Sequence, residues 1–415
     1  MDRRLLSAAI VLALVPAGAA AASANGSEKP ARSWAATEIR TVAAAGLMGT
    51  KDSVSFRPEE PLTAQTLEDL VFGLKQTVFP PDPAPVPPPP NSVLPNPGTP
   101  NPGTPNPVTP NPSVPATIPG TTTPTTTTPT VTTPAPAPPV PTAAPATPRK
   151  LAQPDASVTM ARLDLRLVQG LGLGKAANEF TAGARAAGLK VPGRFGTEMV
   201  ARLLGLRTNH PAQDDGLELL PNDPATRAEA AYSAARVLHF SGWEVAGVQS
   251  LADTFVLPQL SNWQTAILDT AVARIGMPYI WGGTSDGPES PFGVSSRGGY
   301  DCSGFVWRVY KLEPYPASGS LPLVLRGRTT YQMSVEVPRA QRVGFPNLQP
   351  ADVIFFGDHG PRSQAAEIGH MGIYVGNGWF IHSSDEGVAL ASLDGWYKRQ
   401  FAWARRPLAE AGLSG

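Results

Sequence analysis

Of 415 residues only one is cysteine, and 33 Lys+Arg exactly offset 33 Asp+Glu. A single cysteine excludes an intramolecular disulfide and every multi-cysteine zinc site. Zero net charge argues against a nucleic-acid binder, which needs a basic face to neutralise phosphates. Long apolar runs are scarce. The one candidate, residues 5–16, is shorter than the roughly 20 residues a membrane span requires, and no later run approaches that length.

That early run has the layout of an export signal. Arg3 and Arg4 precede it, small residues follow, and Ala20-Ala21-Ala22 and Ala22-Ser23-Ala24 offer cleavage patterns. We therefore expect residues 1–24 to be a signal peptide and the mature chain to be secreted or wall-associated, with no stable membrane span. What the chain has in excess is proline. Of 48 prolines, 27 fall in residues 80–148, a stretch with a repeated Asn-Pro-Gly-Thr-Pro pentad and a Thr/Pro tract. Such density removes backbone donors and fixes φ, so a disordered linker is expected, with O-glycosylation as an option for the Thr/Pro tract.

Helical patterns flank this linker. In residues 30–79, Trp34, Ile39, Val42 and Ala43 have helical spacing, and Thr63 is placed to cap a second helix carrying Leu67, Leu70, Val71 and Leu74. In residues 155–240, Val158-Thr159 opens a helix with Leu163, Leu167 and Leu171. The stretch Leu220 to Glu229 then echoes Phe56 to Thr63. A tryptophan-led helix, a glycine stop, a Phe-x-Pro loop and a Thr226-Arg227-Ala228-Glu229 helix start resemble the S-layer homology repeat. In that family, sets of three repeats bind cell-wall polysaccharide, which the resemblance makes a candidate partner here. A helical scaffold without a ligand is the competing reading. The other two helix starts depart from the motif, at Thr63-Ala64-Gln65-Thr66 and Thr159-Met160-Ala161-Arg162, and the linker interrupts the set.

Chemistry concentrates in the last 150 residues. The lone cysteine, Cys302, lies in Tyr300-Asp301-Cys302-Ser303-Gly304-Phe305-Val306. A helix starting at about Ser303 places the thiol at a helix N-terminus, where free amides favour a thiolate. On residue type alone a lone cysteine is a buried small hydrophobe; the helix start, Asp301 and Ser303 point instead to a nucleophile. Upstream lie a helical pattern from Asn262 to Ile275 and the segment Pro278-Tyr279-Ile280-Trp281-Gly282-Gly283.

A nucleophile needs a base, and three of the five histidines are near: His359, His370 and His382. Asp352 to Phe356 reads as a buried strand. His370 to Val375 and Trp379 to His382 read as a hairpin about Gly376-Asn377-Gly378. A two-residue turn would pair Ile373 with His382 and mix the faces. A three-residue loop pairs Val375 with Trp379 and Ile373 with Ile381, segregates the apolar side chains, and sets His382 opposite Gly372, diagonal to His370. The expected constellation is Cys302 as nucleophile, His370 as base and His382 as its orienting partner. The Cys302 amide and the Tyr279 hydroxyl are candidate oxyanion donors. His359 reads as a solvated loop residue. A zinc site built from the three histidines would leave Cys302 without a role.

Tyr279-x-Trp281-Gly282-Gly283, Asp301-Cys302-Ser303-Gly304-Phe305, Arg328-Thr329-Thr330-Tyr331-Gln332, Pro350-Ala351-Asp352-Val353 and Gly369-His370-Met371-Gly372-Ile373-Tyr374-Val375-Gly376, followed by His382, resemble the NlpC/p60 cysteine peptidases of bacterial cell walls. The resemblance implies an α+β, papain-like domain over residues 262–407, following the all-α S-layer-homology-like region. It implies hydrolysis of peptidoglycan stem peptides, typically at the D-γ-glutamyl bond to diaminopimelate or lysine, with no metal or organic cofactor. It also implies that Tyr279, Asp301 and Ser303 hold the substrate's amino end. Ala351 stands where the family usually has glycine, and the loops Thr284 to Gly299 and Gly357 to Gly369 are long. An amidase on the same fold and a wall-binding protein with an inactive domain are the alternatives.

Overall fold

The structure is a computed structural model that describes residues 33–49, 55–78 and 147–413. The expected signal peptide, and the linker apart from its last two residues, lie outside the described residues.

Before the linker, α1 (Ala36–Ala44) and α2 (Ala64–Val78) form as the spacing predicts, with Ile39, Val42, Leu67, Leu70, Val71 and Leu74 on their buried faces. After it come α3 (Met160–Gly170), α4 (Gly174–Ala186), α5 (Phe195–Leu203), α6 (Arg227–Leu238) and α7 (Trp243–Asp253). Three of these helices start alike. Thr63 accepts from the Thr66 amide, Thr159 from Arg162 and Thr226 from Glu229. Each is an N-cap that satisfies an amide the helix cannot.

The three starts close on each other in a ring. The Leu62 amide donates to the Ala225 carbonyl (2.8 Å), Ala225 to Val158 (2.8 Å) and Val158 back to Leu62 (3.1 Å). The first helical amides extend the pattern. Ala64 and Gln65 donate to Ala156 and Pro154, Met160 and Ala161 to Asp223 and Pro221, and Arg227 and Ala228 to Glu60 and Pro58. Each copy therefore hands its free helix-start amides to the loop of the next, a pseudo-threefold arrangement assembled across the linker. Arg227 reinforces the closure. Its Nε donates to the Phe56 carbonyl at 2.7 Å and its guanidinium lies 4.7 Å from the Phe56 ring centroid.

The last third begins with α8 (Asn262–Val272), capped by a reciprocal Ser261–Gln264 box. A short ribbon, β1 (Thr284–Ser285) with β2 (Gly299–Tyr300), leads into α9 (Cys302–Trp307). An antiparallel sheet follows, built from β3 (Val353–Gly357), β4 (Ile368–Gly376), β5 (Trp379–Ser384), β6 (Gly387–Ser392) and β7 (Phe401–Arg405) in the order β6-β5-β4-β3-β7. Phe305 and Val306 of α9 share a core with Met371, Ile373, Val375, Trp379 and Ile381. Ile354, Phe356 and Phe380 form a smaller cluster on the opposite face. This is the α+β arrangement expected. The helical region joins the main core too, because Phe180, Phe255 and Trp379 meet edge to face with centroids 5.1–6.0 Å apart.

The hairpin reaches its expected faces by another route. Ile373 does pair with Ile381, but Gly376, not Val375, pairs with Trp379. The turn is the two-residue Asn377-Gly378, with both residues at positive φ (47° and 80°). A bulge at Val375 absorbs the extra residue and restores the register. Ala351 explains the family's glycine: its φ is 69° and its amide is held by the Tyr374 carbonyl at 2.8 Å, so the chain must be left-handed there.

Two outcomes follow from this architecture. Ala351→Gly should stabilise the protein by about 1 kcal/mol, read as a raised Tm. A protease site placed in the linker and cut should leave residues 33–78 co-eluting with residues 147–413 on size exclusion until denaturant is added. Separation of the fragments in native buffer would contradict the ring as the source of closure.

Candidate active site

Cys302 is the first residue of α9, one position earlier than the sequence suggested, and Asp301 is the N-cap. The Asp301 carboxylate accepts from the Gly304 amide, the Ser303 hydroxyl (2.9 Å) and the Gly282 amide (3.0 Å). The thiol is buried against β4. Its Sγ lies 3.4 Å from the Thr330 hydroxyl and is also bonded by the backbone amides of Ser303 and Met371. The Met371 amide comes from β4 just before its pairing with β5, which runs from Ile373–Ile381 to Gly376–Trp379.

His370 is therefore next to the residue that touches the thiol. Its Nε2 is 2.8 Å from Nδ1 of His382. The hairpin register thus brings the two histidines together as expected. Phe356 stacks on the His370 ring, while Phe380 and Tyr397 pack on His382, which is almost fully buried. His359 is far more exposed and pairs with Glu367 at 3.2 Å.

Cys302 opens onto a cleft of about 320 Å³ whose walls include Tyr279, Trp281, Phe292, Arg328, Tyr331 and Gly369. Both long loops reach it, one through Phe292 and the other through Gly369. Asp301 and Ser303 also line the cleft, but their polar atoms are engaged. The Arg328 guanidinium donates to Asp301 (3.3 Å), to the Ser303 hydroxyl (2.8 Å) and to the Gly282 carbonyl (2.9 Å). In the sequence Arg328 stands out only by a family likeness; nothing in its spacing showed that it would pair with Asp301.

The NlpC/P60 family model matches residues 276–406, and the S-layer homology domain model matches residues 30–63. Residues 276–406 are an NlpC/P60 domain. The chain is 32% identical over 146 residues to a probable peptidoglycan endopeptidase, LytE, of Bacillus subtilis (strain 168), covering 34% of this chain and 33% of that protein. It is 32% identical over 149 residues to the murein DD-endopeptidase MepH of Escherichia coli (strain K12), covering 35% and 46%. A solved NlpC/P60 family protein from Bacillus cereus ATCC 10987 aligns at 27% identity with a TM-score of 0.27, over 37% of this chain and 42% of that one. The chain thus spans between about a fifth and a half of the length of the curated relatives it matches.

Within the NlpC/P60 domain, electrostatics departs from one expectation. The helix start was expected to favour a thiolate. Burial, with the Asp301 charge adding to it, instead pushes the Cys302 thiol up to about 11, against the opposing bonds from Thr330, Ser303 and Met371. Helix α9 runs only six residues before its hydrogen bonding changes to a π turn over Arg308–Leu312, so its dipole is small. Burial lowers His370 to about 4, and burial together with its histidine neighbour holds His382 well below the usual imidazole range. Burial thus favours the neutral form of the thiol and of both imidazoles.

The sign of the pH effect follows. His370 must be neutral to accept a proton, and its lowered value keeps it so down to about pH 4. The acid limb of kcat/KM should fall between about pH 4 and 5, not near the ordinary histidine value of about 6.5. Alkylation of Cys302 by iodoacetamide should keep rising through pH 10, since thiolate is on the order of one part in ten thousand at pH 7. A neutral-pH plateau in alkylation would show an ion pair instead.

Proposed function

We propose that this protein hydrolyses peptidoglycan stem peptides by a Cys302–His370–His382 thiol mechanism, with the D-γ-glutamyl–diaminopimelate bond as its target. The observation that carries the reading is the juxtaposition of a helix-start thiol, bonded by the Met371 amide, with His370, whose far nitrogen is engaged by His382 at 2.8 Å. The match of residues 276–406 to a family whose relatives are named endopeptidases supports it.

In this mechanism the His370 proton resides on Nε2 and is donated to His382 Nδ1, which leaves Nδ1 of His370 as the base. As the thiol attacks the substrate carbonyl carbon, its proton passes to that nitrogen. A carbon–sulfur bond forms and the carbonyl π pair moves to oxygen. The Cys302 amide, which as the first amide of α9 has no intrahelical acceptor, is placed to stabilise the oxyanion. Collapse of the intermediate breaks the amide bond, and His370 protonates the leaving amine. Water then attacks the thioester with His370 again as base, which releases the acid and restores the thiol. Substrate entering the cleft displaces water, so proton transfer occurs in the ternary arrangement and needs no resting ion pair.

We assign Tyr279, Asp301 and Ser303 to the substrate's amino end. Tyr279 meets it directly, while Asp301 and Ser303 act through Arg328, which occupies their polar atoms. No metal or organic cofactor enters this scheme. The helical repeats are assigned to wall polysaccharide, which keeps the enzyme at the wall of an exporting bacterium; the S-layer homology match at residues 30–63 supports this.

Incubating purified sacculi with the full chain and with Cys302→Ala should release stem-peptide fragments only from the former, identified by mass spectrometry. The variant should lose at least about a thousand-fold of the rate. Equal release, or none, would remove the hydrolase reading, and cleavage at the sugar–peptide amide would replace it with an amidase. Co-sedimentation of Cys302→Ala with sacculi before and after removal of secondary wall polysaccharide tests the wall assignment.

A further inference from the structure

The segment 278–283 carries Tyr279 and Trp281 into the cleft, and its backbone is held from two sides. Even-numbered residues face the catalytic domain. The Tyr300 amide donates to the Pro278 carbonyl (3.1 Å), and the Ile280 amide donates to the Tyr300 carbonyl (3.2 Å). Tyr279 lies between these bonded groups and Trp281 opens the turn that the Gly283 amide closes on the Ile280 carbonyl (2.9 Å), so the Tyr279 and Trp281 amides need partners elsewhere. They find them outside the NlpC/P60 match, on the loop between α5 and α6.

Asn209 pairs with Tyr279 as a strand would. Its Nδ2 donates to the Tyr279 carbonyl (3.0 Å) and its Oδ1 accepts from the Tyr279 amide (3.1 Å). Asp215 accepts from the Trp281 amide at 3.2 Å and is itself almost fully buried. The loop that bears them is anchored in the helical core. Arg207 donates to Asp164 of α3 at 2.8 Å, the His210 amide donates to Glu218, and the His210 ring meets Trp34 edge-on with centroids 4.5 Å apart.

We infer that the helical region completes the substrate cleft, with Asn209 and Asp215 as positioning residues for Tyr279 and Trp281. The inference rests on the hydrolase reading above and adds that the catalytic domain depends on the helical repeats for the wall of its cleft. Removing either clamp leaves a backbone group of segment 278–283 without its partner and lets the segment shift. Substrate binding suffers first, because the thiol and histidines are held by other elements.

The test uses the full chain with Asn209→Ala, Asp215→Ala and the conservative Asp215→Asn, which keeps an acceptor oxygen for the Trp281 amide. On a soluble muropeptide containing the target bond, each alanine variant should raise KM about three- to ten-fold with kcat changed less than about two-fold. Asp215→Asn should recover a near-parental KM. Hydrogen exchange should accelerate at the Tyr279 amide in Asn209→Ala and at the Trp281 amide in Asp215→Ala, while the Phe305 amide within α9 keeps its protection. Parental KM in both alanine variants overturns the inference, as does a uniform rise in exchange that includes Phe305, which would mean general unfolding. If the parent chain itself does not turn over, the hydrolase reading fails separately. The clamp is then decided by the two amides alone: local acceleration supports it and unchanged exchange overturns it.

Discussion

The ring of backbone hydrogen bonds among Leu62, Val158 and Ala225 is what the rest of the chain is built around. It joins residues on opposite sides of the proline-rich stretch at residues 80–148. Each bond is individually worth only about 1 kcal/mol. The ring is sustained by what it positions, namely three capped helices whose apolar faces, with Phe56, Leu62, Leu67, Leu70, Leu163 and Leu167, are sealed from water. Closing it fixes α3 and α6, and so fixes the loop from Arg207 to Glu218 that lies between α5 and α6. That loop in turn holds the segment bearing Tyr279 and Trp281. A constraint in the helical region therefore ends at the catalytic cleft.

At the cleft, burial has opposite consequences for the reacting groups. It raises the thiol and lowers both imidazoles, so the resting site holds no net charge on the nucleophile–base pair. The dry packing that holds Cys302 against Met371, and His370 between Phe356 and His382, fixes geometry at the cost of thiolate content. A site with one cysteine benefits from this in another respect. A protonated, buried thiol is a poor target for oxidants, and no second cysteine exists to trap it as an intramolecular disulfide. Arg328 makes the complementary adjustment on the cleft wall. It offsets the Asp301 carboxylate that would otherwise stand beside the attacking sulfur.

Much of this was legible in the sequence because it depends on local patterns. Thr63, Thr159 and Thr226 as helix caps, the Cys302 helix start, and the split of Met371, Ile373 and Ile381 from His370 and His382 all follow from periods of 3.6 or 2. The errors arose where a local rule allowed two solutions. A three-residue loop and a two-residue turn with a bulge give the same faces to the hairpin, and only the packing around Val375 and Gly376 selects the second. The thiolate expectation weighed the helix dipole, which is visible in sequence, but had no access to burial, which is not. Helices α4, α5 and α7 were not singled out one by one, although α4 and α5 bury Phe180, Phe195 and Met199 on apolar faces.

The sequence by itself determined the candidate reacting groups, their order along the chain and the alternation that puts two histidines on one face, since these are properties of residue type and short spacing. Tertiary structure alone decided which distant polar groups became partners. Asn209 and Asp215 meet Tyr279 and Trp281 across about 70 residues, and Arg328 meets Asp301 across 27. A backbone amide or a carboxylate looks the same in sequence whether solvated or buried. Only when the fold removes water from it must a specific partner be found, and the identity of that partner is set by which elements the core has brought together.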